Sequence, residues 1–269
     1  MKKNILIIAI LISIVNTSFS QNKEKQVNYY HNVKFGEQYG IFISTDNVIS
    51  KFNYAKLGLI INNKSDDYLF FNKSKCKFVI NDNSYFPKTE KKGKIMKPNS
   101  KKTFTIKVAK ETDYLVDNFS FKPQGISKFS AKGEIVKAEP FHLPAEKNII
   151  EAGSFKINML KLKKETQETV VKFECTYTGD KIAIITPSNC VLRTEDGKEW
   201  ANLKSKEKVI ILQKNESKKF NILFQIPAKS TDMQFAEMDI LWKNTFSESE
   251  LKKVDFDVQT ITKDTVKSK

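Results

Sequence analysis

Few side chains in this sequence stand where their types and spacing would support chemistry. Its two histidines, His31 and His142, lie far apart, and no serine sits in a Gly-x-Ser-x-Gly elbow. A base beside a nucleophile, with an acid to orient it, is therefore not legible. Zinc takes about four well-spaced ligands, but Cys76, Cys175 and Cys190 form no Cys-x-x-Cys pair and no His-x-x-x-His occurs. Asp66, Asp67 and Asp82 are too sparse for a calcium loop and read as solvated turns. The 9 glycines are scattered and make neither a phosphate cradle nor a dinucleotide fingerprint. The expectation is no catalytic set, no metal and no cofactor, with both histidines in linkers or at strand edges. Carboxylates distant in sequence can still converge, so a concave pocket gathering acids around His31 or His142 would turn the reading toward hydrolysis.

Binding chemistry has better candidates. Lys88, Lys91, Lys92, Lys94, Lys97, Lys101 and Lys102 face only Glu90 within one short segment. Such a cluster can attract an anionic partner, or it can simply keep a sheet edge soluble. Trp200 follows a turn and reads as a partly exposed aromatic, whereas Trp242 ends an alternating run and reads as core. Nucleic acid is disfavoured. The net charge of +15 rests on lysine, since Arg193 is the one arginine among 46 cations, and lysine lacks the planar fork that reads phosphate pairs and base edges.

The first 20 residues read as an address. Lys2 and Lys3 precede an apolar run from Ile5 to Val15, and Ser18-Phe19-Ser20 supplies small residues before a cut ahead of Gln21. That run is shorter than the roughly 20 residues that span a bilayer, and no later segment is long and apolar enough. The expectation is an exported mature chain in the periplasm or outside the cell. Export allows a disulfide, and Cys175 to Cys190 is the short closure on offer, worth about 3 kcal/mol in the chain-entropy model. Three buried reduced thiols are the alternative.

The elements behind these residues are short alternating runs divided by Asn, Asp, Gly, Ser and Lys clusters, an all-β pattern. In Thr103-Phe104-Thr105-Ile106-Lys107-Val108 the even positions are apolar, which puts one side-chain set in a core and the other in water. The pattern occurs twice. At an offset of 114, Leu57 to Phe86 aligns with Val171 to Trp200, setting Cys76 on Cys190 and Phe86 on Trp200. Downstream, Met96, Asn99 and Phe104 align with Leu212, Asn215 and Phe220; upstream, Gly40 and Phe42 fall opposite Gly153 and Phe155. Pro140 and Pro144 suggest a boundary. The predicted domains are 28–140 and 146–262, each of the size of a β-sandwich, with 263–269 a loose tail. The first is the basic one: residues 21–140 carry net +10, residues 141–269 net +3.

Thr194-Glu195-Asp196-Gly197-Lys198-Glu199-Trp200, then Asn215-Glu216-Ser217-Lys218-Lys219-Phe220, then Phe224-Gln225-Ile226-Pro227 resemble the telokin-like immunoglobulin-like domains of secreted bacterial proteins. The first repeat departs from that pattern at Asp82-Asn83-Ser84, where the glycine is missing, and Val108 lacks a following proline. The resemblance implies an exported interaction or structural module without a shared catalytic set. The expected function is a non-enzymatic binding or envelope-structural module whose partner is a protein or an anionic envelope polymer. A periplasmic hydrolase or inhibitor is the alternative.

Overall fold

The computed structural model describes residues 26–88, 92–109, 113–204 and 209–268. The export segment Met1–Ser20 and Lys91 fall outside them. The described chain is all-β, with two 3-10 turns and no α-helix. It opens with β1 (Val27–Tyr29), β2 (Lys34–Gln38), β3 (Ile41–Lys51), β4 (Tyr54–Asn63), β5 (Tyr68–Phe71), β6 (Lys77–Ile80), β7 (Asn83–Tyr85), β8 (Lys94–Met96), β9 (Ser100–Val108), β10 (Asn118–Lys122) and β11 (Ile126–Phe129). It continues with β12 (Glu134–Val136), β13 (Phe141–Leu143), β14 (Ile149–Ala152), β15 (Phe155–Glu165), β16 (Glu168–Tyr177), β17 (Ile182–Ile185), β18 (Val191–Thr194) and β19 (Glu199–Ala201). The last strands are β20 (Ile210–Leu212), β21 (Glu216–Gln225), β22 (Met238–Leu241), β23 (Phe246–Ser249), β24 (Lys252–Val254) and β25 (Gln259–Thr262).

The described residues form two compact units, one drawn from 26–128 and 252–268, the other from 129–251. In the first, the long sheet β1-β3-β4-β9, with β2 on β3, and the short sheets β25-β10-β6-β7 and β24-β11-β5-β8 enclose one core. In the second, β14-β15-β16-β21, β13-β22-β18-β19 and β12-β23-β17-β20 do the same. The two-residue period builds these sheets. On β4, Ala55, Leu57, Leu59 and Ile61 are fully buried while Lys56, Gly58, Ile60 and Asn62 face away from the core. Each such buried leucine or isoleucine stabilises by about 1.5–3 kcal/mol. Asparagine supplies the turns: Asn81 and Asp82 both take positive φ between Ile80 and Asn83, a two-residue hairpin that does without the missing glycine.

The duplication is visible strand by strand. β3, β4, β5 and β6 recur as β15, β16, β17 and β18 at one offset of 114 residues, and so do the 3-10 turns Lys73–Lys75 and Pro187–Asn189. Cross-strand pairing corrects two details. Tyr85, not Phe86, opposes Phe78 as Trp200 opposes Leu192, because the turn holding Gly197 is longer than Asn81-Asp82. Ile41, not Phe42, matches Phe155, each pairing with the last residue of the next long strand, Asn63 or Tyr177. Phe42 thus points away from the core, as Lys156 does in the second unit.

The division also differs from the one the prolines predict. Pro140 and Pro144 bracket β13, whose Phe141 and Leu143 are buried, and proline at a strand's ends removes no ladder hydrogen bond. The chain from 126 to 136 divides between β11, in the first unit, and β12, which pairs β23 in the second. β24, the counterpart of β12, returns to pair β11, and β25 pairs β10 as β13 pairs β22. Each unit is closed by the last two strands of the other repeat. The described residues after β25, 263–268, are anchored: Lys263 donates its N–H to the Asp117 carbonyl, Asp264 is buried, and the Ser268 hydroxyl accepts the Tyr29 N–H at 2.9 Å.

Candidate functional site

The described lysines of the 88–102 segment do not share one sheet. Lys94 lies on β8 of the short sheet β24-β11-β5-β8, and Lys101 and Lys102 lie on β9, the edge of the long sheet. Lys88, Lys92, Lys94, Lys97, Lys101 and Lys102 are exposed. Lys101 and Lys102 point to opposite faces, so Lys101 alone shares the outer face with Asn62, its pairing partner on β4.

That outer face carries a depression of about 450 Å3 that sequence reasoning missed. Lys34, Lys64 and Lys101 line it together with Phe42, Ile60, Ser44, Asn62 and Glu37, and the Lys64 ammonium stands 5.0 Å from the centre of the Phe42 ring. Outward apolar residues are its only signal in the sequence, and an alignment that sets Phe42 on the inward Phe155 hides it. Register identifies the matching rows of the second unit. Phe42–Asn62–Lys101 there becomes Lys156–Thr176–Ser217, and Lys34–Ser44–Ile60 becomes Ile149–Asn158–Glu174. Apolar floor and lysine rim are peculiar to the first unit.

The second unit has its own charged row. His142 on β13, Asp239 on β22, Arg193 on β18 and Glu199 on β19 stand side by side across one sheet. Arg193 donates to Asp239 Oδ2 at 2.7 Å, and His142 Nδ1 lies 3.1 Å from Oδ1. The Arg193 guanidinium, with a smaller contribution from His142, holds the Asp239 carboxyl below its ordinary range. In the first unit the same row is Thr260–Ser120–Val79–Ser84, with no charge. His142 also lines a depression of about 440 Å3 with Arg193, Thr194, Glu195, Glu237 and Asp239, so acids do gather around one histidine. Their capacity to react is limited. Both Asp239 oxygens are engaged, Glu195 accepts the Glu237 N–H, and the one lining hydroxyl, Thr194, is buried and donates to Asp196. His31 is 4.0 Å from Asp264 at the strand edge after β1.

Because folded Asp239 ionises at lower pH than the unfolded carboxyl, its stabilisation is complete above about pH 4 and is lost as pH falls through the folded value. Asp239→Asn is expected to lower the urea midpoint at pH 6 and to shrink its fall between about pH 4 and 2. An unchanged acid slope would assign that fall to other carboxyls.

Trp200 is half-buried, with part of its ring packed against the second core and part open to solvent. Trp242 is core, 5.2 Å from Phe173 between ring centres. No disulfide joins Cys175 and Cys190; all three cysteines are buried free thiols. Cys175 belongs to the long sheet, while Cys190 precedes β18 in another sheet with its Sγ 3.4 Å from Thr245 Oγ1. Burial pushes Cys76 and Cys175 up to about 12, which withholds the thiolate needed for oxidation. A thiol reagent is expected to find no fast-reacting group in the folded chain and all three after denaturation without reductant. One reactive group after denaturation would show a bridge. Among the described residues no three His, Cys, Asp or Glu gather to hold a metal, and no helix is long and apolar enough to cross a membrane.

No family model matches the chain, and no curated protein does. Among solved structures, the yjhA protein of Bacillus subtilis is 11% identical over 29% of this chain and 70% of its own, at a TM-score of 0.25. The secreted serine protease VesC of Vibrio cholerae is 9% identical over 78% of this chain and 51% of its own, at 0.23. The N-terminal CBM22 tandem domain from Paenibacillus barcinonensis is 10% identical over 89% of this chain and 95% of its own, at 0.21. Likeness at this level carries no argument about function.

Proposed function

We propose that the protein is an exported, non-enzymatic binding module. Met1–Ser20 acts as a cleaved export signal, the mature chain works in the periplasm or outside the cell, and its sandwiches are telokin-like immunoglobulin-like units. The first unit contacts an anionic partner, a protein surface or an envelope polymer. One observation carries this reading: exposed lysines crowd the β8 and β9 edges of that unit and continue across its sheet face as Lys34 and Lys64, where the second unit has Ile149 and, after β16, Thr178.

Replacing Lys88, Lys91, Lys92, Lys94, Lys97, Lys101 and Lys102 by Gln is expected to lower the salt concentration at which the protein leaves a heparin matrix. Unchanged elution with increased aggregation would reduce the lysines to solubility devices. The depression at His142 favours a second reading, hydrolysis. It predicts turnover of p-nitrophenyl esters or phosphates that His142→Ala abolishes, and its engaged carboxylates and missing nucleophile count against it.

A further inference from the structure

We propose that the depression on the β2-β3-β4-β9 face binds a small organic anion with an apolar body. The acid group meets Lys34, Lys64 and Lys101, and the hydrocarbon rests on Phe42 and Ile60. This rests on the binding reading above and names its ligand class. About 450 Å3 falls within the size range of small-molecule sites. Three lysines face one lining acid, Glu37, so the rim favours negative charge. Phe42 and Ile60 are outward on a sheet face where polar residues cost nothing, and the second unit does hold Lys156 and Glu174 there. A simple polyanion surface needs lysines but no apolar floor; an inorganic anion needs neither Phe42 nor Ile60. The two features together call for an amphipathic carboxylate, sulfonate or phosphate.

The second unit also supplies substitutions that its own sheet already tolerates. Decanoate binding to the full chain, measured by calorimetry below its micelle concentration, is expected to be at least about tenfold tighter than acetate binding, with decyltrimethylammonium not bound. Phe42→Lys with Ile60→Glu, and separately Lys64→Thr with Lys101→Ser, are each expected to weaken decanoate by about tenfold or more. The first pair keeps the rim lysines and should still be retained on heparin. Decanoate binding that both pairs leave unchanged, or equal binding of the cationic amphiphile, overturns the site. A chain retained on heparin that ignores decanoate overturns this inference and leaves the anionic-partner reading standing; a chain that does neither overturns both.

A second inference stands on strand pairing alone. We infer that the chain has two closures: the exchanged one seen here, and one in which each repeat folds back on its own last strands. Repeat register makes Glu134 the counterpart of Lys252, and Lys128 the counterpart of Glu248. The exchanged form sets Lys128 opposite Lys252 and Glu134 opposite Glu248, two like-charge pairs. Self-closure would set Lys128 opposite Glu134 and Glu248 opposite Lys252, two opposite-charge pairs, and directly opposed like charges destabilise a ladder. The chain is short enough at both places for a hairpin, with five residues, 129–133, in one turn and three, 249–251, in the other. Against this, the exchanged form alone brings His142 to Asp239 at 3.1 Å. Lys181, 3.1 Å from Glu134 and 3.8 Å from Glu250, also relieves the acid pair. The same residues thus support both closures.

Cysteine pairs read the two apart without touching Lys128, Glu134, Glu248 or Lys252, since Ser127 is opposite Lys253 in the exchanged form and opposite Ile135 in the other. In the full chain, Ser127→Cys with Lys253→Cys and Ser127→Cys with Ile135→Cys are both expected to cross-link within a monomer. Adding Lys252→Glu is expected to raise the yield of the first and lower that of the second. If only the first pair cross-links, or the second does so only between chains, the self-closed form is overturned.

Discussion

A chain ending at Leu251 is expected to lose the structure of one whole unit. The missing strands β24 and β25, with the segment joining them, contribute Val254, Phe256 and Ile261 to the first core at 1%, 2% and 0% exposure. Burying a side chain of this size stabilises by about 1.5–3 kcal/mol, so the three together approach the roughly 5–15 kcal/mol that holds a domain folded. The loss also uncovers the ladder groups of β10 and β11, which nothing else in the described chain pairs on that side. Only β12 and β13 would remain to close two units, and whichever unit takes them, the other stays open. Hydrogen exchange is expected to find about half of the slow amides gone, with protection retained in one contiguous sandwich. Uniform protection across both long sheets, β3-β4-β9 and β15-β16-β21, would mean that the closing strands are dispensable.

Gly125→Ala is expected to be the most damaging single methyl group in the first unit. Gly125 has φ +82, and an added Cβ would lie 2.3 Å from the Asn72 carbonyl oxygen and 2.8 Å from Lys75 Cβ. Backbone cannot step aside here. Asn72 donates its N–H to the Gly125 carbonyl at 2.9 Å, while its side chain caps the 3-10 turn by accepting from the Ser74 N–H. The left-handed conformation and the contact together are worth about 2–4 kcal/mol, read as a shift of the urea midpoint with unchanged slope. The second unit makes the matching bond from Thr186 to Thr245 without a glycine, because its loop is one residue longer and gives the positive φ to Asn244. A Gly125→Ala midpoint within a few tenths of a molar of wild type would show that the Lys75 turn yields.

Strand existence was legible wherever the period was long. Thr103 to Val108 and Phe220 to Gln225 declare their inward faces residue by residue, and both form as strands with those faces inward. Three-residue edge strands such as β7, β8 and β19 are too short to show a period and went unread. The match of Phe86 to Trp200 fails for a related reason: one extra turn residue reverses which face a side chain takes, and a gap-free alignment conceals it. The lysine segment was visible as composition, but only the register of β9 on β4 separates Lys101, which reaches the depression, from Lys102, which does not.

The amino-acid sequence by itself determined that this chain makes all-β sandwiches, that it makes them twice, and that its positive charge is concentrated in lysines of the first repeat. Those properties are local, written in alternation, turn residues and repeat spacing. Tertiary structure alone decided which repeat closes which unit, that the three thiols stay apart, and that Phe42 and Ile60 meet Lys34, Lys64 and Lys101 on one face. The reason is physical. A strand's alternation specifies which face it buries but not which neighbour it pairs, and β12 and β24, three residues each, hold too little alternation to choose between β11 and β23.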